Sequence, residues 1–210
     1  MLAAAALTIV YVARALTRRT PRPLIAAVVV VAAAMLIPPA ALEVNWQRNE
    51  HAYSAAASAL VGHPVTVRCQ RLTETLVDAD GHTGHVAFTA NGQPDTNAHL
   101  DWAICTQLRT WPHNDAATAS TDSIAAIHTL VHEIEHLSGT LDERAADCRA
   151  IIDTPTVVTA LGGTIDSGRI AARRYLHEVY PHMSDTYTTR DCAATGPFAT
   201  PDTAWLWSGQ

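Results

Sequence analysis

The apolar residues of this chain are concentrated near its N-terminus. Residues 23–44 read PLIAAVVVVAAAMLIPPAALEV, an almost continuous apolar run that is long enough to cross a bilayer as a helix. Residues 2–13 form a shorter apolar run, below the roughly twenty residues that a straight span needs. Between them, residues 14–22 hold four arginines and no acidic residue, and such a basic flank stays on the cytoplasmic side.

This pattern predicts that residues 1–45 form a membrane anchor, with one span at about residues 23–44, and that residues 46–210 form an extracytoplasmic domain. Whether residues 2–13 form a separate span is left open. The alternative is a long signal peptide that is cleaved near Ala40 and Ala41 to release a secreted protein. The long basic segment and the length of the apolar run favour the anchor, and both alternatives export the C-terminal domain.

Beyond residue 45 the hydrophobic pattern indicates an α+β fold that is predominantly helical. Alanine-rich residues 45–60 are typical of a helix, whereas residues 65–69 and 85–89 are β-branched or aromatic and predict short strands. Apolar residues then recur every four positions at Leu100, Ile104 and Leu108. This spacing predicts a helix over about residues 97–111, which Pro112 ends.

The next apolar stripe predicts the helix that carries the candidate functional residues. It consists of Ile124, Ile127, Val131 and Ile134, positions that share one helical face. Ser120, Thr121 or Asp122 can cap its start, and Gly139 is placed to stop it. A second helix is expected from Asp142 to about Ile152, and a last one from Thr164 or Asp166 to Tyr180. The tail, residues 190–210, is expected to be extended chain.

Charge and cysteine content narrow the class of protein. Residues 46–210 hold ten arginines, no lysine and nineteen acidic residues, a formal charge of 10 − 19 = −9, which argues against a nucleic-acid partner. All four cysteines lie in this exported part, so two disulfides are expected. Of the three possible pairings we favour the one without interlacing, which joins Cys69 to Cys105 and Cys148 to Cys192.

The chemistry-bearing motif is His132-Glu133-Ile134-Glu135-His136. Residues four apart on a helix lie one turn above each other, so both imidazoles can face one Zn²⁺ ion. Glu133 lies about 100° round the helix from His132, where its carboxylate can act as a general base without binding the metal. The alternative is an exposed polar helix face with fortuitous spacing.

The motif resembles that of the HExxH zinc metallopeptidases, the zincins. Glu143-Arg-Ala-Ala-Asp147 is similar to the second active-site helix of the gluzincins, which implies Glu143 as the third metal ligand and Asp147 as the partner of a ligand histidine. The literal pattern HExxHxxGxxD also resembles the metzincins, with Asp142 as the alternative third ligand. We favour Glu143, although the connection from His136 is shorter than in most gluzincins. The resemblance implies a hydrolase of peptide or protein substrates.

Other side chains near the motif are weaker candidates for a role. His128 lies one turn before His132 and is expected to contact water or a backbone carbonyl. One member of a downstream aromatic cluster could stabilise an oxyanion; the cluster consists of Tyr175, His177, Tyr180, His182 and Tyr187. A different class of function also remains open, namely a non-catalytic, zinc-holding binding or structural module of the cell envelope.

Overall fold

The computed structural model describes residues 43–75, 83–111 and 115–208. The chain divides into two compact units, residues 1–47 and 48–210, and only residues 43–47 of the first are described; they are helical. The basic segment and nearly all of the expected span lie outside the described residues. Among those described, no helix is both long enough and apolar enough to cross a membrane. The anchor therefore stays a prediction.

The second unit contains a three-stranded sheet in the order β1-β3-β2. Strand β1 (Thr66–Cys69) runs parallel to β3 (Pro94–Leu100), and β2 (Gly84–Phe88) runs antiparallel to β3. The two strands expected at residues 65–69 and 85–89 are thus confirmed, and the α+β class with them. One face of the sheet is buried through the side chains of Val67, Cys69, Val86, Ala98 and Leu100.

The helix expected over residues 97–111 is wrong in its first part. Residues up to Leu100 belong to β3, and the helix covers only Trp102–Leu108. Asp101 caps it, since its Oδ1 accepts a hydrogen bond from the Ile104 N–H at 2.7 Å. The position of Leu100 is compatible with the period of a helix and with the alternation of a strand. The segment becomes a strand because β3 pairs with both β1 and β2.

Helices form most of the remaining described part of the domain. Residues 48–61 form helix α1, Leu72–Thr75 form the short α2, and Trp102–Leu108 form α3. The expected motif helix is confirmed as α4 (Thr121–Leu137), whose cap Ser120 accepts a hydrogen bond from the Ser123 N–H at 3.1 Å. Its predicted apolar stripe of Ile124, Ile127, Val131 and Ile134 is fully buried. Leu130 is buried with it, and this burial fixes α4 in the centre of the domain.

The second site helix, α5 (Glu143–Ala160), is longer than expected. The expected end near Ile152 is wrong, because the helix continues through Pro155. Val157 and Val158, beyond the proline, are 1% and 0% exposed, so core burial outweighs the lost backbone hydrogen bond. A Cβ on Gly168 of the next helix would lie 2.4 Å from the Pro155 Cα, and only glycine permits this close approach.

Helix α6 (Ile165–Arg174) is followed by a π-helical turn, Tyr175–Val179, and a 3₁₀ turn, Tyr180–His182. The tail was expected to be extended but forms two further 3₁₀ turns, Arg190–Cys192 and Pro201–Leu206. These short turns arise where Thr189 and Thr200 supply capping contacts.

Two disulfides crosslink the domain, and no described cysteine is free. One joins Cys69 at the end of β1 to Cys105 of α3, and the other joins Cys148 of α5 to Cys192 of the tail. This is the pairing favoured from the sequence. The second bond attaches the tail to the helix that begins with Glu143.

Candidate metal centre

Two histidines and a glutamate converge where α4 and α5 meet. His132 Nε2 lies 3.0 Å from His136 Nε2 and 3.0 Å from Glu143 Oε2, and His136 Nε2 lies 3.3 Å from the same oxygen. Both histidines are buried, whereas the Glu143 side chain is 40% exposed. The three potential ligand atoms therefore form a nearly equilateral triangle that reaches solvent on its Glu143 side.

This triangle fits a tetrahedral metal ion. Donors at zinc–nitrogen and zinc–oxygen bond lengths lie about 3.3–3.4 Å apart at tetrahedral angles, close to the 3.0–3.3 Å seen here. Two imidazoles and one carboxylate are also a donor set of catalytic zinc sites, in which a fourth position stays open. His132, His136 and Glu143 could therefore hold a metal ion.

Backbone and side-chain partners direct both imidazoles towards this point. His136 Nδ1 lies 2.6 Å from the Thr140 carbonyl oxygen; because a carbonyl only accepts, Nδ1 carries the proton and Nε2 is left with a free lone pair. His132 Nδ1 faces Asp147 Oδ1 at 3.6 Å, an arrangement that favours the same tautomer. The turn that contains Gly139, at φ +99°, brings Thr140 back under His136.

Glu133 lies beside the triangle and contributes none of its atoms. It is 4% exposed, and its Oε2 has no hydrogen-bond partner. Burial raises the pKa of Glu133 to about 7; His132 opposes the shift and Glu143 adds to it. A carboxyl with this pKa can take up and release a proton near neutral pH.

Gly84, the first residue of β2, packs directly on Glu133. A Cβ at position 84 would lie 2.6 Å from Glu133 Oε1 and 2.9 Å from its Cδ and Cγ. Gly84 could not be identified from the sequence, because nothing in the local sequence shows that a strand start approaches a helix so far along the chain. A glycine in a strand is the only available signal of such an approach.

The two candidates for the third ligand occupy different positions. Glu143 completes the triangle, whereas Asp142 caps α5 by accepting a hydrogen bond from the Ala145 N–H at 2.9 Å. Asp142 belongs to neither group of potential metal ligands that the described residues form. The geometry therefore favours Glu143, and the short turn after His136 is sufficient to bring it to both histidines.

The partner of His128 is a carboxylate and not the expected backbone carbonyl. Its Nε2 lies 2.8 Å from Asp147 Oδ1, and both side chains are buried. Asp147 therefore contacts His128 more closely than His132, and these three residues form a second group that could hold a metal ion. The expectation for His128 failed because its partner lies on another helix, α5.

The charge balance of this region is negative. Glu143 and Asp147 both have lowered pKa values: for Glu143 the main cause is its hydrogen bond to His132, and for Asp147 the two histidines outweigh the opposing effect of burial. Burial also opposes protonation of His132, but the neighbouring carboxylates of Asp147, Glu143 and Glu133 raise its pKa to about 9. The carboxylates around His132 thus favour its positively charged form.

Of the downstream aromatic cluster, two tyrosines lie at the site. The Tyr175 hydroxyl donates to Asp147 Oδ1 at 3.2 Å, and the Tyr187 ring meets the His132 ring edge-on with centroids 5.8 Å apart. Tyr180 instead binds the backbone of Thr189. His177 and His182 are exposed and contribute no atom to either ligand group.

Comparison of the chain with protein-family models, with curated proteins and with solved structures found no significant match. The function is therefore inferred from the residues and geometry of the site itself.

Proposed function

We propose that this chain is a membrane-anchored zinc metalloendopeptidase of gluzincin type, whose catalytic domain, residues 46–210, lies outside the cytoplasm. The observation that carries the proposal is the triangle of His132, His136 and Glu143, with the buried carboxyl of Glu133 beside it. A metal-holding module needs the three ligands alone. A buried glutamate with an unpartnered carboxylate oxygen next to them is costly for stability and is useful for moving protons.

In this proposal His132, His136 and Glu143 hold Zn²⁺, which supplies Lewis acidity to a water nucleophile and to the scissile carbonyl. Glu133 Oε2 takes the proton of the attacking water and later delivers it to the leaving amine. Burial of Glu133 keeps both of its protonation states accessible near neutral pH. Gly84 holds the carboxylate in place, because the Glu133 side chain packs against the bare Cα of β2.

Tyr187 is the residue we assign to the developing oxyanion. Its ring contacts His132 and it is half-buried. Burial raises the pKa of its phenol, and Glu143 and Glu133 add to the effect, so the hydroxyl keeps its proton and can donate. A positioned donor of this kind stabilises the charge that forms on a carbonyl oxygen.

The edge of β2 beside the site can accommodate an extended peptide substrate. Strand β2 begins against Glu133, and its Phe88 ring meets the His136 ring edge-on with centroids 5.8 Å apart. Within the described sheet β2 pairs only with β3, so its other edge offers backbone groups to an extended peptide. A peptide added there would run past Glu133 and the metal ligands.

The test compares two isosteric variants, Glu133→Gln and Glu135→Gln, in the full-length protein. Glu135 lies on the same helix and is equally buried, but it is in neither ligand group, so Glu135→Gln controls for loss of a buried charge. We expect Glu133→Gln to keep one zinc ion and to lose peptide cleavage by about 10³-fold or more, in line with removal of a general base. Glu135→Gln should cleave as the wild type does.

Peptide cleavage is followed by mass spectrometry on a mixture of unstructured peptides, with the zinc content of each sample measured in parallel. A wild-type protein that holds zinc but cleaves nothing would favour the non-catalytic module of the cell envelope. Equal cleavage by Glu133→Gln and wild type would refute the role of Glu133.

A further inference from the structure

Three side chains meet at Asp147 Oδ1 of α5, two from α4 and one from the π-helical turn. It lies 2.8 Å from His128 Nε2 of α4, 3.2 Å from the Tyr175 hydroxyl of the π-helical turn, and 3.6 Å from His132 Nδ1. The residues are buried: Asp147 is 1%, Tyr175 2% and His128 3% exposed. The other carboxylate oxygen of Asp147, Oδ2, has no partner. All of the hydrogen bonding to Asp147 thus concentrates on the oxygen that faces His132.

His128 and Tyr175 also support each other. Their rings stack with centroids 3.4 Å apart and an interplanar angle of 11°. Tyr175 opens a π-helical turn, a rare backbone form that is frequent at functional sites. The wider turn ends the regular spacing of α6 at the residue whose hydroxyl reaches Asp147.

This arrangement bears on which nitrogen of His132 carries its proton. The separation of 3.6 Å between His132 Nδ1 and Asp147 Oδ1 exceeds an ordinary hydrogen bond, so His132 alone does not hold Asp147 in place. The shorter contacts from His128 and Tyr175 do. If Asp147 turned away, His132 could place its proton on Nε2, which points at His136 and Glu143, and that nitrogen would then be unable to bind a metal ion.

We propose that His128 and Tyr175 are positioning residues of the metal centre, which hold Asp147 Oδ1 towards His132 Nδ1 and so keep His132 Nε2 free to bind zinc. This inference rests on the proposed metal centre and not on peptidase activity. His128 acts as a donor and not as a ligand, because its Nε2 already points at a carboxylate oxygen at hydrogen-bond distance.

The alternative is that His128, His132 and Asp147 hold a metal ion of their own, since their potential ligand atoms lie within 4.8 Å of one another. The two alternatives differ in stoichiometry. A positioning role leaves one ion per chain, bound at the triangle. A ligand role gives two ions in the wild type, and one after His128 is removed.

The experiment measures zinc stoichiometry and affinity of the full-length protein by competition with a chromogenic chelator. Four variants are compared with the wild type: His128→Gln, which keeps a side-chain N–H donor; His128→Leu, which removes it; Tyr175→Phe; and the control Ser123→Ala. Ser123 is a buried polar residue of the same helix that bonds Gln107 and Ser120, away from the ligands. Circular dichroism and Trp fluorescence give the folded fraction to which each affinity is referred.

We expect His128→Leu to weaken zinc binding by about 10–100-fold, the usual effect of losing an outer-shell partner. His128→Gln should stay within about threefold of the wild type because the donor is restored, and Tyr175→Phe should fall between the two. Ser123→Ala should bind as the wild type does, and every variant should bind one ion. In Co²⁺-loaded samples the visible absorption bands should shift in His128→Leu and not in Ser123→Ala.

Three results would overturn the proposal. The first is a zinc affinity of His128→Leu equal to that of Ser123→Ala. The second is an equal loss in His128→Gln and His128→Leu, which would mean that the donor is irrelevant. The third is a stoichiometry that drops from two to one when His128 is replaced. If the wild type binds no zinc, the metal centre itself fails and this role fails with it, whereas normal wild-type binding with unaffected variants overturns the role alone.

Discussion

Replacement of Gly84 by alanine changes the position of Glu133 without touching a metal ligand. The added Cβ would lie 2.6 Å from Glu133 Oε1, whereas ordinary contacts begin near 3.4 Å. The carboxylate must therefore move by about 3.4 − 2.6 = 0.8 Å, a distance at which misplacement of a reacting group costs on the order of 10²-fold in rate. Gly84 has no positive φ, so the backbone itself accepts alanine.

The loss in the free energy of unfolding should be smaller than the rise in activation free energy that a loss in rate of about 10²-fold represents. Overpacking a buried site costs about 1–3 kcal/mol, and the reduced freedom of the unfolded chain returns about 0.4–1 kcal/mol. We expect a net loss of about 0–2.6 kcal/mol in the free energy of unfolding. Zinc affinity should stay within about threefold of the wild type, because Glu133 is not a ligand.

The assay compares kcat/KM for a cleaved peptide, zinc affinity and urea unfolding of Gly84→Ala with those of Ala87→Ser. Ala87 is an exposed residue of the same strand, so Ala87→Ser controls for enlargement of a β2 side chain. A Gly84→Ala protein that cleaves peptides at the wild-type rate would refute the argument that the β2 backbone positions Glu133.

Three other perturbations have defined outcomes. Tyr187→Phe should lower kcat by about 10²-fold with KM and zinc affinity unchanged; an unchanged kcat removes Tyr187 from the mechanism. Replacing Cys148 and Cys192 by serine opens a crosslink of sequence separation 44. Because the crosslink restricts the unfolded chain, its loss should lower the free energy of unfolding by about 4 kcal/mol. A loss of less than about 1 kcal/mol would contradict this entropic origin. His132 has a pKa of about 9, so at pH 7.5 both of its ring nitrogens carry a proton in the zinc-free protein. Zinc should therefore release about one proton at pH 7.5 and bind more tightly as pH rises towards 9. Calorimetry in buffers of different ionisation enthalpy measures this release, and no proton exchange would contradict the assigned protonation.

The parts of the site that could be predicted are local in sequence. A cap at Ser120, an apolar stripe and a glycine stop determine α4, and the spacing of His132 and His136 follows from the helix itself. Glu143 lies one short turn further on. No long-range contact is needed to bring these residues together, and the structure groups them as the motif suggested.

The parts that could not be predicted depend on contacts between distant segments. Gly84 reaches Glu133 across 49 positions (133 − 84), and Tyr175 reaches Asp147 from a π-helical turn that no local pattern indicates. Residues 94–100 become a strand because β1 and β2 pair with them on both sides. In each case tertiary packing outweighs local propensity.

The most direct test of the metal centre is the zinc content of the purified full-length protein and of two variants, Glu143→Gln and Asp142→Asn. We predict one zinc ion per chain in the wild type. We also predict zinc binding weakened by at least about 10-fold in Glu143→Gln and wild-type binding in Asp142→Asn, because asparagine also caps a helix well. Absence of stoichiometric zinc from the wild type after equilibration with zinc would contradict the proposed metal centre. Loss of zinc in Asp142→Asn with retention in Glu143→Gln would show that Asp142, and not Glu143, is the third ligand.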